Sequence, residues 1–169
     1  MTDPDLKRAL GCFATGVTVI TTPSDGRHFG FTANSFTSVS LSPPTILFCV
    51  GKSRASYAAM RAADCFAVNI LSSSQRDLSN RFATSGEEKW KDVAHGEDAS
   101  GNAILIGAAA AFNCRRTTTI EEADHAIILG RIVGFELSNV CTPLIYCRSR
   151  YCLPKDVPAD TRIGAPDVR

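Results

Sequence analysis

A polar segment at residues 31–44 carries the side chains with the clearest potential for binding chemistry. Its sequence is FTANSFTSVSLSPP, in which short hydroxyl and amide side chains recur before two prolines. Because alternate residues of a strand share a face, a single strand here would present together Thr32, Asn34, Phe36, Ser38 and Ser40. Short uncharged donors suit a phosphate, a ribityl chain or the edge of a flat heterocycle. A ligand-free edge strand rich in serine and threonine explains the same pattern.

The loop at residues 49–54, CVGKSR, places two cations beside a serine. Lys52 and Arg54 could form charge-assisted hydrogen bonds with a phosphate. A helix that begins just after them would add free backbone N–H groups. The same composition is typical of a solvated turn, so the loop alone leaves both alternatives open.

A third group is the pair Asp124-His125, which precedes the apolar run at residues 126–129. A histidine at the start of a strand usually forms a structural hydrogen bond. As a functional group, His125 could contact a substrate amide or stabilise a charge, tuned by the adjacent carboxylate.

Length and charge restrict the class of protein. A chain of 169 residues is long enough for one domain with a substantial core. The net charge is +1 and the cations are scattered, which argues against nucleic-acid binding. No apolar run approaches the roughly 20 residues that span a bilayer, and MTDPDLKRAL lacks the architecture of a signal peptide. We therefore expect a cytoplasmic protein without a membrane or nucleic-acid partner.

Several familiar motifs are missing. The sequence contains no G-x-G-x-x-G after a strand, no phosphate-binding P-loop and no G-x-S-x-G elbow. Seven cysteines occur without a single C-x-x-C, and none of the three histidines lies at zinc-ligand spacing from a cysteine pair. The pattern predicts no metal site and reduced cysteines that fill the core.

The predicted elements are mainly strands. Asp3 and Pro4 predict the start of a helix that ends near Gly16. Strands are predicted at residues 17–22, from 28 onward, and at 45–50, 65–71, 108–118, 125–137, 143–147 and 151–153, with helices at 55–63 and through 78–82. Residues 84–101 read as a long loop or lid anchored by Trp90. Many strands with few helices favour an antiparallel barrel at residues 1–153, followed by a flexible tail at 154–169.

Together these segments resemble the short-chain flavin reductases, the reductase components of two-component flavin-dependent monooxygenases. The resemblance covers about residues 6–153 and rests on motifs in the family's order: LKRALGCFATGVTVITT, GFTANSFTSVSLSPPTILFCV, FAVNILSSSQRDLSNRFA, ADHAIILGRIV and PLIYCRSRY. It implies a mainly β fold with a few helices, the antiparallel FMN-binding split β-barrel. It also implies reduction of FMN or FAD, with NADH or NADPH as hydride donor.

The resemblance also assigns roles to individual residues. It places the isoalloxazine edge against Thr32, Ala33, Asn34 and Ser35, and the ribityl chain and phosphate near Ser38, Val39 and Ser40. The other side of the flavin would be closed by Cys49, Gly51, Lys52 and Ser53, with Ser53 and Arg54 near the phosphate and with Arg81 and Phe82 near the flavin tail. The family's Gly-Asp-His motif corresponds to Ala123, Asp124 and His125, and a family tyrosine in the same nicotinamide pocket corresponds to Tyr151.

Two positions depart from the family pattern. Ala123 replaces the usual glycine, and Cys152 stands where many members have histidine. If the nicotinamide stacks directly on the flavin, no separate dinucleotide-binding domain is required, which agrees with the absence of a G-x-G-x-x-G motif.

The resemblance further implies a homodimer with a flavin near each subunit boundary, and a partner oxygenase that receives reduced flavin. Two alternatives are a flavin-binding protein without turnover and a related split-barrel oxidase of a pyridoxamine-type amine.

Overall fold

A computed structural model describes residues 3–156, so the predicted tail lies mostly outside the described residues. The strands are β1 (Thr15–Gly16), β2 (Thr18–Ser24), β3 (Arg27–Ala33), β4 (Thr37–Leu41), β5 (Pro44–Gly51), β6 (Cys65–Ile70), β7 (His95–Glu97), β8 (Ala103–Leu105), β9 (Ala110–Glu122), β10 (His125–Leu137), β11 (Ile145–Cys147) and β12 (Arg150–Cys152). The helices are α1 (Pro4–Leu10), α2 (Tyr57–Ala62) and α3 (Arg76–Ala83), with short 3₁₀ helices at Ser73–Gln75 and Glu87–Trp90. The predicted mainly β chain with a few helices is confirmed.

The largest sheet has seven strands in the order β3-β2-β6-β9-β10-β5-β4. Every strand pair in it is antiparallel. The sheet curls until Phe31 of β3 lies 6.0 Å from Phe48 of β5, measured between ring centroids. In the described residues β3 and β4 remain the two ends of the strand order, so the barrel is split as predicted.

Two small sheets complete the β structure: β1-β11-β12 and the hairpin β7-β8. The β7-β8 hairpin corrects the prediction that residues 84–101 form only a loop or lid. All three residues of β8 are buried. Asn69 bridges β8 to the barrel: its amide donates to Val19 O and Ala103 O, and its Oδ1 accepts from Leu105 N at 2.8 Å. None of the described helices has the length and hydrophobicity needed to cross a membrane.

The interior contains two main apolar clusters. One fills the barrel and includes Phe31, Phe48 and Phe66. The second lies under α3, where Phe82 is fully buried and its ring is 4.9 Å from that of Trp90. Gly30 permits this packing, because a Cβ atom there would lie only 2.9 Å from the Phe82 ring.

Local signals correctly located several element boundaries. A hairpin turn joins the strands predicted at residues 17–22 and from 28 onward, with Asp25 and Gly26 both at positive φ. Asp3 caps α1 by accepting a hydrogen bond from Asp5 N. Ser72 and Gln75 form a reciprocal capping box before α3. Helix α1 ends at Leu10, however, because Gly11 already serves as its C-cap, five residues before the predicted stop at Gly16.

The predicted continuous strand through the polar segment is wrong. Strand β3 ends at Ala33, residues 34–36 leave the extended conformation of the ladder, and β4 begins at Thr37 with a bulge between Ser38 and Ser40. The alternation that would put all the hydroxyls on one face is therefore broken twice.

The expectation that the cysteines are core fillers holds fully only for Cys114. Burial raises the pKa of its thiol to about 12, which leaves it protonated and unreactive. Cys12 and Cys152 are exposed, and the other four are partly buried.

Candidate active site

Two hydroxyls of the polar segment are used to hold the fold together. The Ser35 hydroxyl donates to Cys49 O at 3.1 Å and accepts from Cys49 N at 3.0 Å, so a side chain replaces a backbone partner beside β5. The Thr32 hydroxyl donates to Ser79 O of α3 at 2.6 Å. These bonds join the break between β3 and β4 to both neighbouring elements.

Other polar groups of the segment face solvent at the same break. Asn34 and Ser38 are exposed, and Val39 is half-exposed in the bulge. Ser40 accepts a hydrogen bond from Ser42 N at 3.1 Å. The segment thus presents an exposed amide and an exposed hydroxyl to a ligand. They lie next to the hydroxyls that are bonded to the backbone.

His125 begins β10 and pairs directly with Gly51 of β5. Its Nδ1 lies 2.8 Å from Asp124 Oδ1. Because a carboxylate only accepts, Nδ1 donates and the neutral ring keeps its acceptor at Nε2. Gly51 lies beside this nitrogen: a Cβ atom built on it would be 3.5 Å from Nε2, an ordinary van der Waals contact. The hydrogen bond from His125, followed by its charge, lowers the pKa of Asp124.

Lys52 fixes the turn that presents His125. Its backbone N–H donates to Asp124 O at 2.9 Å and its Nζ donates to Ala123 O at 2.8 Å. Nζ also lies 2.9 Å from Glu121 Oε2, while Tyr57 Oη donates to Glu121 Oε1 at 2.8 Å. The hydrogen bond from Lys52 first, then that from Tyr57, lowers the pKa of Glu121, and the same carboxylate raises the pKa of Lys52 and Tyr57.

Ala123 occupies the left-handed region, with φ of 46°. An L-residue with a side chain is disfavoured there by a clash between Cβ and the following carbonyl oxygen. The substitution of alanine for the family's glycine therefore places strain in the turn that Lys52 holds.

Arg54 is the cation of the 49–54 loop that faces the junction of β3 and α3. Its guanidinium lies 5.6 Å from the centre of the Phe31 ring and donates to Ala83 O at 3.5 Å. Burial lowers the pKa of Lys89, and the positive charge of Arg54 lowers it further. Arg54 and the partly buried Lys89 carry charges of the same sign that act on each other, and such a pair suits an anionic group. Sequence reasoning missed Lys89, because it stands in the acidic stretch Glu87-Glu88 and carries no motif of its own.

Arg81 and Phe82 of α3 differ from their predicted surroundings. The Arg81 guanidinium donates to Lys91 O at 2.7 Å, which fixes the segment after α3. Phe82 has no exposed side-chain surface and packs against Trp90. Its side chain is therefore part of the core in this structure.

Tyr151 lies on the α3 side of the site. Its hydroxyl donates to Asn80 Oδ1 at 2.8 Å and lies 2.9 Å from Ser79 Oγ, and the Arg76 guanidinium lies 5.4 Å from the ring centre. Ser79 O is also the acceptor for Thr32, so Tyr151 and the polar segment share one anchor.

The fold thus brings several of the predicted residues together through direct or shared contacts. Thr32 and Tyr151 meet through Ser79. Ser35 joins Cys49 of β5, and two residues further along β5 Gly51 pairs with His125. Ser53 is exposed in the loop between Gly51 and Arg54. A cavity of about 640 Å³ lies elsewhere, between α1 and the β11-β12 turn, and is lined by none of the predicted residues.

Comparison with known proteins identifies the class. Residues 10–154 match the family described as Flavin reductase like domain, and the chain belongs to this family. The resemblance inferred from the motifs is therefore confirmed.

Relatives and solved structures agree with this assignment. The chain is 44% identical over 150 residues to Stachydrine N-demethylase reductase subunit Stc3 of Rhizobium meliloti (strain 1021), which covers 88% of this chain and 65% of the relative. It is 35% identical over 160 residues to Flavin-dependent monooxygenase, reductase subunit HsaB of Rhodococcus jostii (strain RHA1), covering 95% and 80%. The structure of Streptomyces globisporus C-1027 NADH:FAD oxidoreductase SgcE6 superposes with a TM-score of 0.85 at 32% identity, covering 93% of this chain and 98% of that one.

Some relatives are longer than this chain. It spans 48% of the length of a Rhizobium meliloti (strain 1021) protein named Probable flavin reductase, to which it is 45% identical over 151 residues.

Proposed function

We propose that this chain catalyses the reduction of FMN or FAD by NADH or NADPH and supplies reduced flavin to a partner monooxygenase. The observation that carries the proposal is the position of His125. Its exposed ring lies beside Gly51 at the end of β5. Cys49 of the same strand β5 is bonded to Ser35 of the polar segment. The names of relatives such as HsaB, a reductase subunit of a flavin-dependent monooxygenase, support it.

The donor set fits a flavin. Exposed Asn34 and Ser38 offer an amide and a hydroxyl to the polar edge of the ring and to the ribityl chain. Arg54 and Lys89 offer positive charge to the phosphate, whose binding would relieve their mutual repulsion. Ala33, Ser40, Cys49 and Ser53 complete the proposed flavin contacts from β3, β4 and β5 and the loop that follows. When bound, the flavin supplies the hydride-accepting chemistry.

The protein's own task is then to hold two rings together at reacting distance. Asp124 holds the His125 ring with Nε2 as acceptor, which suits the N–H of a nicotinamide carboxamide. Tyr151 is held on the other side by Asn80 and Ser79. Hydride transfer needs no acid or base from either residue, so we assign them to orientation.

The activity is tested by following the oxidation of NADH and NADPH in air with FMN, FAD and riboflavin in turn. We expect protein-dependent turnover that requires added or bound flavin. Turnover no faster than the protein-free mixture would refute the proposal and leave the two alternatives, a flavin-binding protein without turnover and a split-barrel oxidase of a pyridoxamine-type amine.

The polar segment is tested through flavin affinity. Asn34→Leu and Ser38→Leu should each weaken flavin binding by more than roughly tenfold. Each removes a hydrogen bond, which contributes about 0.5–1.5 kcal/mol between neutral groups and about 1.5–3 kcal/mol to a charged group, and each places a bulky apolar side chain against the flavin. Ser100→Leu, which alters an exposed hydroxyl in the β7-β8 turn, is the matched control. Unchanged affinity in both test variants would remove this segment from the site.

The phosphate contacts are tested by comparing two ligands that differ by the phosphate. Arg54→Gln and Lys89→Gln should weaken FMN binding while riboflavin binding changes little. Lys91→Gln removes an exposed cation from the same segment and serves as the control. Equal losses for FMN and riboflavin would mean that these cations do not read the phosphate.

We also propose that two copies of the chain form a symmetric dimer with a flavin near each boundary. Strand β10 pairs with β5 only as far as Arg131, and beyond it Val133, Phe135 and Leu137 are each about two-thirds exposed. A row of large apolar side chains on an unpaired strand edge suits a second copy. Light scattering should give twice the chain mass of 18.1 kDa, and Phe135→Glu should lower it to the monomer. Leu153→Glu is the control at an equally exposed position.

A further inference from the structure

A cluster of three metal-binding side chains shares no residue with the proposed flavin contacts. One ligand atom each from His28, His95 and Glu97 falls within 4.8 Å of the other two. His28 is near the start of β3, whereas His95 and Glu97 are the two ends of β7. The sequence pattern predicts no metal site because the histidines lie far from any cysteine pair, but the fold brings residues 28 and 95 together.

The His28–Glu97 edge of the cluster is close to metal geometry. His28 Nε2 lies 3.0 Å from Glu97 Oε1. Two ligands of one tetrahedral zinc ion, with bonds of about 2.0–2.1 Å, are roughly 3.3 Å apart. The third ligand needs only a modest approach from its present position within 4.8 Å.

His95 is already oriented as metal-binding histidines are. Its Nδ1 donates to Val93 O at 2.8 Å, which leaves the lone pair on Nε2. A backbone carbonyl that accepts the second ring N–H is the usual support for a ligating imidazole. His28 Nδ1 is buried and has no hydrogen-bond partner among the described residues, so the direct contact with Glu97 leaves this ring incompletely satisfied.

The strand that carries two of the ligands is rigidly held. Asp98 Oδ1 accepts from Ser100 N and Asn102 N, which closes the β7-β8 turn. Asn69 anchors β8 to the barrel. The ligands of β7 therefore move little, and pre-positioned ligands reduce the entropy lost when a metal binds.

From this geometry we infer a divalent transition-metal site, formed by His28, His95 and Glu97, that binds Zn²⁺. Two imidazoles and a carboxylate are a suitable ligand set for zinc and leave one coordination position open. The ion would join β3 to the β7-β8 hairpin, and with it the segment that carries Trp90. It would stabilise the fold through residues that are not among the proposed flavin contacts.

Trp90 supplies a local readout, because it is the sole tryptophan and its ring lies 5.3 Å from both histidine rings. Titration of the full chain with Co²⁺ should quench Trp90 fluorescence saturably, and Zn²⁺ should reverse the quenching. Glu97→Gln and His95→Gln should each weaken both effects by more than roughly tenfold. Zn²⁺ should also raise the Tm of the unaltered chain and leave that of Glu97→Gln unchanged.

His125→Gln is the matched control, since it removes the one histidine outside the cluster. It should bind both metals like the unaltered chain. If Glu97→Gln and His95→Gln retain the same midpoints, or if Co²⁺ gives a thiolate charge-transfer band without Trp90 quenching, the site is refuted. Glu97 is exposed, so Glu97→Gln decides the matter even if His95→Gln fails to fold.

Discussion

The two sides of the candidate site are held by different forces. On the β9-β10 side, His125 is positioned by exposed polar contacts from Asp124 and Lys52. On the α3 side, Thr32 and Tyr151 are anchored to a helix whose inner residue, Phe82, is completely buried. Polar contacts at the surface contribute little to stability, whereas buried aromatic packing contributes much. We therefore expect changes at the first side to alter function without unfolding, and changes at the second to unfold the chain.

The largest effect is expected from Phe82→Ala. Removing a buried phenylalanine leaves a cavity between Gly30 and Trp90, and such substitutions cost about 3–5 kcal/mol. Urea unfolding followed by circular dichroism measures the loss. Lys52→Ala, an exposed change on the opposite side, is the control and should alter the unfolding free energy far less. Equal losses would contradict the comparison.

The next effect is functional and belongs to the polar side. His125→Ala should raise the KM for the nicotinamide and lower kcat/KM roughly tenfold, the equivalent of about 1.4 kcal/mol. Flavin affinity and the urea midpoint should stay nearly constant. His125→Gln, which retains an acceptor, should recover part of the loss. Loss of flavin binding with an unchanged nicotinamide KM would instead make His125 a flavin-side residue.

A smaller effect is expected from relieving the strained turn. Ala123→Gly should raise the free energy of unfolding by about 1 kcal/mol, because glycine tolerates a φ of 46°. Ala63→Gly is the control: its φ of −66° gains nothing from glycine, and the added freedom of the unfolded chain should destabilise it. If Ala123→Gly is destabilising as well, the turn that Lys52 holds is not strained at residue 123.

The smallest effect concerns pH. The folded pKa of Glu121 is lowered, so its contribution is present above the ordinary value of about 4.3 and is lost as the pH falls through the lowered value. The folded pKa of Lys52 is raised, so its contribution is present below about 10.4 and is lost as the pH rises through the raised value.

The difference in urea midpoint between the unaltered chain and Glu121→Gln should therefore be small and constant from about pH 5 to 10, and should shrink outside that window. Glu122→Gln, the neighbouring carboxylate, is the control. A difference in urea midpoint that grows toward acid pH would contradict a stabilising role for the Lys52–Glu121 ion pair.

Local patterns accounted for much of the fold. The Asp25-Gly26 turn, the capping box of Ser72 with Gln75 and the strand-forming composition of β9 and β10 each depend on residues close in sequence. The turn needs residues that accept positive φ, the cap needs a hydroxyl and an amide three positions apart, and a long strand needs β-branched and apolar residues. These requirements are visible without tertiary contacts.

The tertiary structure decided what depends on distant partners. Ser35 interrupts the strand because its hydroxyl bonds to Cys49, on another strand. The charge of Arg54 acts on Lys89, and His28 lies near His95 and Glu97, because the fold brings distant parts of the chain together. The polar segment and the Asp124-His125 pair could be recognised as candidate site residues from their types and order. The fold was needed to tell which of these residues bond to the backbone, which are exposed donors and which belong to the turn that Lys52 holds. The same type of side chain can serve any of these roles until its neighbours are known.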